Sequence, residues 1–203
     1  MSKLRFAVFV SGGGTNLQAL IDGIREGHIQ GEIPVVISDK DGAYALERAR
    51  MNGIRAVSIS RNQYQDKVQR ENVMLSTLYK EKVDFIVLAG YLSILSGEVL
   101  SLYKGRIINL HPSLIPNYCG KGMYGDRVHQ AVLDAGEKET GVTIHYVDEG
   151  IDTGAIIVQE KLAVLADDTV ESLRGRVHAV EHRILTETVA AYCRGDKQFA
   201  HAD

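Results

Sequence analysis

The feature that most constrains this chain is a rhythm. Through the first half, short apolar runs alternate with amphipathic stretches. Candidate strands are Arg5–Val10, Pro34–Ser38, Ala56–Ser58, Phe85–Ala89 and Arg106–Leu110. Each is short, and several are rich in Val and Ile on both faces, as strands buried on both sides of a parallel sheet tend to be. Helices are expected near Leu17–Arg25, Tyr44–Asn52, Gln65–Glu81 and Gly97–Tyr103. This order predicts an α/β fold: a doubly wound, mainly parallel sheet with helices on both faces. Such sheets bind ligands beyond the carboxyl ends of their strands, so the loops after each strand are where chemistry is sought.

The last third reads differently. Gly141–Val147 and Ala155–Val164 look like two strands joined by the loop Asp148–Gly154. Thr169 is a suitable N-cap for a long C-terminal helix. Val170, Leu173, Val177, Val180, Ile184 and Val189 recur along it at helical spacing and make one apolar stripe. This part is expected to continue the same domain, so that residues 1–203 form one unit. A chain of 203 residues buries enough apolar surface to fold without disulfides or a structural metal.

Charge and cysteine content remove some function classes. The net charge of -3 argues against a non-specific nucleic-acid binder, which would be basic. Cys119 and Cys193 are too far apart to suggest a disulfide framework or a zinc knuckle, and they suit a reducing compartment. No apolar run reaches the length of a membrane span, and the short run Leu4–Val10 lacks the features of a secretory signal. A cytoplasmic location is the expectation.

Three segments carry chemistry. The first is Ser11-Gly12-Gly13-Gly14-Thr15-Asn16, between the first strand and a helix. Glycines let the backbone approach a ligand closely, and the free N–H groups at the helix start favour an anion. The spacing is not GxGxxG and no Lys occupies the Walker position, so a single phosphate monoester fits better than a dinucleotide or a P-loop nucleotide. A plain strand-to-helix turn capped by Thr15 or Asn16 is the bland alternative. The second segment is Asn109-Leu110-His111-Pro112-Ser113. Residues two apart on a strand share a face, so Asn109 and His111 project together, and Pro112 ends the ladder. An amide beside an imidazole can donate to a developing oxyanion, and the imidazole can move a proton. An isolated His before Pro is more often a packed residue. The third is Asp148-Glu149-Gly150-Ile151-Asp152-Thr153-Gly154. One of its carboxylates near His111 would raise the imidazole pKa, but spacing does not choose among Asp148, Glu149 and Asp152.

Taken together, these segments resemble the folate-dependent glycinamide ribonucleotide formyltransferases. The likeness covers essentially the whole chain and includes Leu88–Leu95, Gly120–Gly125 and Val147–Gly154. It implies transfer of the formyl group of 10-formyltetrahydrofolate to the amine of glycinamide ribonucleotide, with no metal. It implies catalytic roles for Asn109, His111 and Asp152, in which a protonated His111 and Asn109 hold the oxyanion while Asp152 keeps the imidazole charged and relays the amine proton. It implies that Gly13, Gly14, Thr15 and Asn16 hold the substrate phosphate and that Glu181 contacts the glycinamide part. It also implies that Lys67, Leu92, Ser93, Ile94, Leu95 and Asn109 contact the folate, with residues 1–105 forming the nucleotide half and 106–203 the catalytic and folate half. The partners implied are these two small molecules, with no nucleic acid or membrane, for a monomer or homodimer.

The sequence departs from the family pattern at two contacts. Lys67 stands where Arg is frequent, and Ser93 replaces a basic residue of some members; Lys and Arg are not equivalent partners for a carboxylate. The rivals are a formyltetrahydrofolate deformylase, expected to carry an extra N-terminal domain, and a methionyl-tRNA formyltransferase, expected to continue beyond residue 203. A sugar-nucleotide formyltransferase fits the phosphate loop less well. From other classes come a non-catalytic binder of phosphorylated ligands and a metal hydrolase using His178 and His182, which lie one helical turn apart without an evident third ligand.

Overall fold

The computed structural model describes residues 3–95 and 97–196. In chain order the elements are β1 (Leu4–Val10), α1 (Thr15–Arg25), β2 (Gly31–Glu32), β3 (Val35–Ser38), α2 (Tyr44–Met51), β4 (Arg55–Ser58) and α3 (Lys67–Lys80). There follow β5 (Phe85–Leu88), α4 (Glu98–Leu102), β6 (Ile107–His111), α5 (Asp126–Asp134), β7 (Glu139–Tyr146), β8 (Ile156–Ala163) and α6 (Val170–Arg194). The strands form one sheet in the order β4-β3-β1-β5-β6-β7-β8, with β2 beside β1. Every pairing as far as β6 is parallel, and β6-β7-β8 is antiparallel. The predicted doubly wound α/β architecture is the one observed.

The alternation of side chains along each strand explains the two-faced core. Phe6, Val8 and Val10 of β1 pack with Leu17 and Leu20 of α1, Leu46 of α2, and Leu173 and Val177 of α6. Ala7 and Phe9 of the same strand face the other way, toward Met74 and Leu78 of α3 and Val99 of α4. Phe85 is stacked between Phe6 and Tyr192, with ring centroids 5.0 and 4.2 Å away. Stacked aromatics of this kind add about 0.5–1.5 kcal/mol to their area burial.

Element ends follow local chemistry. Asp66 caps α3 by accepting from the backbone N–H groups of Val68 and Gln69, which starts that helix two residues later than the apolar pattern suggests. Thr169 forms the expected N-cap of α6, in a reciprocal capping box with Ser172. Of the expected stripe, Leu173, Val177, Ile184 and Val189 are buried and Val180 packs partly against the core, whereas Val170 lies half-exposed at the helix start. Two elements were not expected, β2 and α5. The first is too short to show a period, and the second buries only Val128, His129 and Val132.

Candidate active site

The glycine turn sits at the carboxyl end of β1. Gly14 occupies the N-cap of α1 with φ 74°, a left-handed conformation natural to glycine, and no side chain caps the helix. A Cβ at Gly14 would lie 2.5 Å from the Cβ and 2.9 Å from the Cα of Ala45. The turn is held from α2, where the Ala45 N–H donates to the Gly12 carbonyl at 3.0 Å and Arg48 Nε donates to the Gly13 carbonyl at 2.8 Å. Neither Thr15 nor Asn16 caps the helix, so the cap expected of a plain turn is not made. The first-turn N–H groups are left without a side-chain acceptor, the arrangement that draws anions. Asn16 instead donates through Nδ2 to Glu181 Oε2 at 2.9 Å. Glu181 is a buried residue of α6, and burial raises its pKa against the opposing pull of the Asn16 bond.

Asn109 and His111 lie on β6, whose ladder ends at His111, before Pro112. Asp152 reaches them from the β7–β8 connection. Asn109 Nδ2 lies 3.3 Å from Asp152 Oδ1, and His111 Nδ1 lies 3.7 Å from Asp152 Oδ2. His111 Nε2 is 2.9 Å from the Tyr118 carbonyl, which requires that this nitrogen carry the hydrogen. The Gly120 N–H donates to Asp152 Oδ2 at 2.9 Å. The choice among the three acids is thereby resolved in space. Asp148 turns onto its own loop, accepting from the Gly150 N–H and the Thr153 hydroxyl, while Asp152 turns inward.

A fourth group joins this cluster that sequence reasoning missed. His145 on β7 lies directly opposite Asn109 in the antiparallel register. Its Nε2 is 3.1 Å from Asn109 Nδ2 and 3.6 Å from Asp152 Oδ1, and its Nδ1 donates to the Tyr146 carbonyl at 2.8 Å. With Nδ1 donating, Nε2 is the ring nitrogen that faces Asn109 and Asp152. The available signal was the pair Thr143 and His145, two polar residues alternating with Val142 and Ile144 in an otherwise apolar strand.

Burial and charge oppose each other within the cluster. Burial lowers the His111 pKa, and the contributions of the Tyr118 bond and the Asp152 charge, which act upward, do not reverse it. Asp152 is pushed up by its own burial, but contacts from His145 and the Gly120 N–H, with the charges of both imidazoles, leave it below the usual carboxylate range. Asp152 thus pulls the His111 pKa upward, the sense expected of it, while burial of the imidazole sets the net direction downward.

One cavity of about 610 Å³ opens onto Gly13, Gly14, Thr15, Asn16, Glu181, Leu92, Ser93, Ile94, Leu95, Asn109, His111 and Asp152. It draws on both halves of the chain, so the residues expected to hold a phosphate, to carry catalysis and to cradle a ring share a single space. Lys67 is not in it. That residue opens α3 and lines a neighbouring groove with Arg61, Arg70 and Glu71, on the far side of the shared segment 91–95. His178 lines the main cavity. Its ring stacks with that of His182 at 6.1 Å, and no group of three or more His, Cys, Asp or Glu among the described residues is arranged to hold a metal ion. No helix among the described residues is long and apolar enough to cross a membrane.

Comparison with known proteins points the same way. Residues 4–189 match the formyl transferase family. The chain is 40% identical over 191 residues to a chloroplastic phosphoribosylglycinamide formyltransferase of Vigna unguiculata, covering 94% of this chain and 61% of the relative. It is 39% identical over 198 residues to the Arabidopsis thaliana protein of the same name, covering 94% and 66%. The chain thus spans under two thirds of those plant relatives. Among solved structures, a glycinamide ribonucleotide transformylase 1 from Symbiobacterium toebii superimposes with a TM-score of 0.88 at 41% identity, over 95% of this chain and 89% of that one.

Proposed function

The chain belongs to the formyl transferase family, and from that premise we propose that it transfers the formyl group of 10-formyltetrahydrofolate to the amine of glycinamide ribonucleotide, a step of purine biosynthesis. The observation that carries the proposal is the shared cavity, in which the anion-ready turn at Gly13–Asn16 and the buried Glu181 open onto the same space as Asn109, His111 and Asp152. A phosphate ester held at the start of α1 would direct its amine end toward Glu181 and β6. The segment Leu92–Leu95 suits a flat heteroaromatic ring. Leu92 and Ile94 are exposed apolar side chains, and the Leu92 N–H is already spent on Ser11, so its carbonyl is what it offers a ligand.

The folate supplies the formyl group on N10; the protein supplies position and proton traffic. Attack by the amine nitrogen places negative charge on the formyl oxygen. Asn109 Nδ2 and His111 Nε2–H are the donors nearest to hand for that charge. In this structure they are engaged with His145, Asp152 and the Tyr118 carbonyl, so binding exchanges those partners for the substrate oxygen. The neutral His111 serves as donor through Nε2. Its Nδ1 lone pair, facing Asp152, takes up a proton to make an ion pair. The amine gives up one proton and N10 gains one, so a relay through His111 and Asp152 balances the reaction without external acid or base. One oxyanion donor is typically worth about 3–4 kcal/mol.

The test is incubation with 10-formyltetrahydrofolate, with and without glycinamide ribonucleotide. Tetrahydrofolate release that depends on the nucleotide, with formylglycinamide ribonucleotide as product, is expected. Equal release without nucleotide would mean a deformylase, and no release would mean a binder.

A further inference from the structure

We propose that Asp39 is a positioning residue that holds the phosphate turn and the folate-ring segment in mutual register. The assignment of those two ligands rests on the transformylase reading above. Asp39 immediately follows β3 and is half-buried. Its Oδ1 accepts from the Ser11 hydroxyl at 2.5 Å, and its Oδ2 accepts from the Ser93 hydroxyl at 2.6 Å. Ser11 opens the glycine turn after β1, and Ser93 lies in the ring segment after β5. The Ser11 hydroxyl in turn accepts from the Leu92 N–H at 2.8 Å, and the Ser11 N–H donates to the Gly90 carbonyl at 3.0 Å. One carboxylate therefore ties together the loops that leave β1, β3 and β5, three adjacent strands of the sheet.

The geometry assigns Asp39 no chemistry of its own. Each of its oxygens holds a hydroxyl, and the residue lines the neighbouring groove rather than the cavity of the catalytic cluster. Hydroxyl-to-carboxylate bonds are short and about twice as strong as neutral ones. Both serines are oriented by a fixed charge, and a Ser11 hydroxyl oriented in this way presents its lone pair to the Leu92 N–H. Removing the carboxylate leaves two hydroxyls without their acceptor and loosens both loops at once. Asn109, His111 and Asp152 are held by β6, β7 and the 118–120 backbone, none of which contacts Asp39 through these bonds. Binding of both substrates should suffer while the chemical step does not.

The experiment measures kcat and both KM values for the full chain and for Asp39→Ala, Asp39→Asn and Ser93→Ala. Asp39→Ala is expected to raise KM for nucleotide and folate alike by about tenfold or more, with kcat within about threefold of wild type. Ser93→Ala cuts one branch and should raise the folate KM alone. Asp39→Asn keeps an acceptor for one serine and a donor for the other, and should restore most of both KM values. A merely structural role would instead lower kcat, through the active fraction, and leave both KM values unchanged; that result overturns the proposal, as does an effect of Asp39→Ala on one substrate only. If Asp39→Ala does not fold, Ser93→Ala decides: equal effects on the two KM values, or none, overturn the proposal. A wild-type protein without nucleotide-dependent turnover would overturn the transformylase reading first, and this inference with it.

Discussion

His129 offers a sharp test of how α5 is packed. It is 1% exposed on the buried face of α5, and its Nδ1 has no hydrogen-bond partner. Burial first, then the charge of His178, push its pKa from 6.5 down to about 4; Asp126 pulls the other way, and the smaller effect of Arg174 adds to the drop. The folded protein therefore resists a proton that the unfolded chain accepts. At about 1.4 kcal/mol per pH unit, a drop of about 2.5 units sets a ceiling near 3.4 kcal/mol. Arg174 and Asp126 act in opposite senses and are both exposed, so their screening leaves the drop in place; a pH range that ends at about 4.5 covers about 2 units of it, or about 2–3 kcal/mol. The sign follows from the depressed value: stability is full above pH 6.5 and falls as the pH drops toward 4. The assay is urea unfolding of wild type and His129→Leu at pH steps from about 7.5 to about 4.5. The stability difference, wild type minus variant, should shift against the wild type by about 2–3 kcal/mol across that range. Other histidines titrate in both proteins and largely cancel. Parallel stability curves would refute the reasoning and mean that a proton enters the folded seam freely.

Three further outcomes are expected. His111→Ala and Asp152→Asn should each lower kcat by about 100-fold or more, with the nucleotide Kd, read by calorimetry, within about threefold of wild type. Asn16→Ala strips the buried Glu181 of its hydrogen-bond donor and should raise the nucleotide KM by about 10- to 100-fold while the folate KM moves less than about twofold. Gly14→Ala forces a side chain into a left-handed position and against Ala45, and should cost about 2–4 kcal/mol of stability, seen as a lower Tm even without ligand.

Much of the fold was legible because parallel strands buried on both faces leave an unmistakable record of branched apolar runs. Phe85–Leu88 and Val35–Ser38 are buried at every position. What was not legible were elements with little apolar content, such as α5, and contacts made across the sheet. The pairing of Asn109 with His145 depends on the antiparallel register of β6 and β7, which no local pattern encodes. The same holds for Asp39, whose partners come from loops 28 and 54 positions away in the chain. The net direction of the His111 pKa was not legible for a related reason. The neighbouring carboxylate could be anticipated from the motif, but the depth of burial that outweighs it could not.

The position of Asp152 shows what the site does to its own backbone. β7 runs antiparallel to β6, so its exit lies beside the start of that strand, where the Val147 N–H donates to the Ile107 carbonyl at 2.9 Å. The connection must then fold back before a carboxylate can reach Asn109 and His111. It does so with Gly154 pressed against the Tyr146 carbonyl, where a Cβ would lie 1.8 Å from the oxygen, and with Asp152 in a left-handed conformation at φ 57°. Such a conformation carries a cost for any residue with a side chain, and it persists because Gly120 and Asn109 hold the carboxylate in place. Asp and Asn tolerate this region better than other side chains do. Asp152→Asn therefore keeps the backbone path and the shape of the side chain while removing the charge. A loss of kcat in that variant, with stability unchanged, separates the electrostatic role of the carboxylate from its role in shaping the loop.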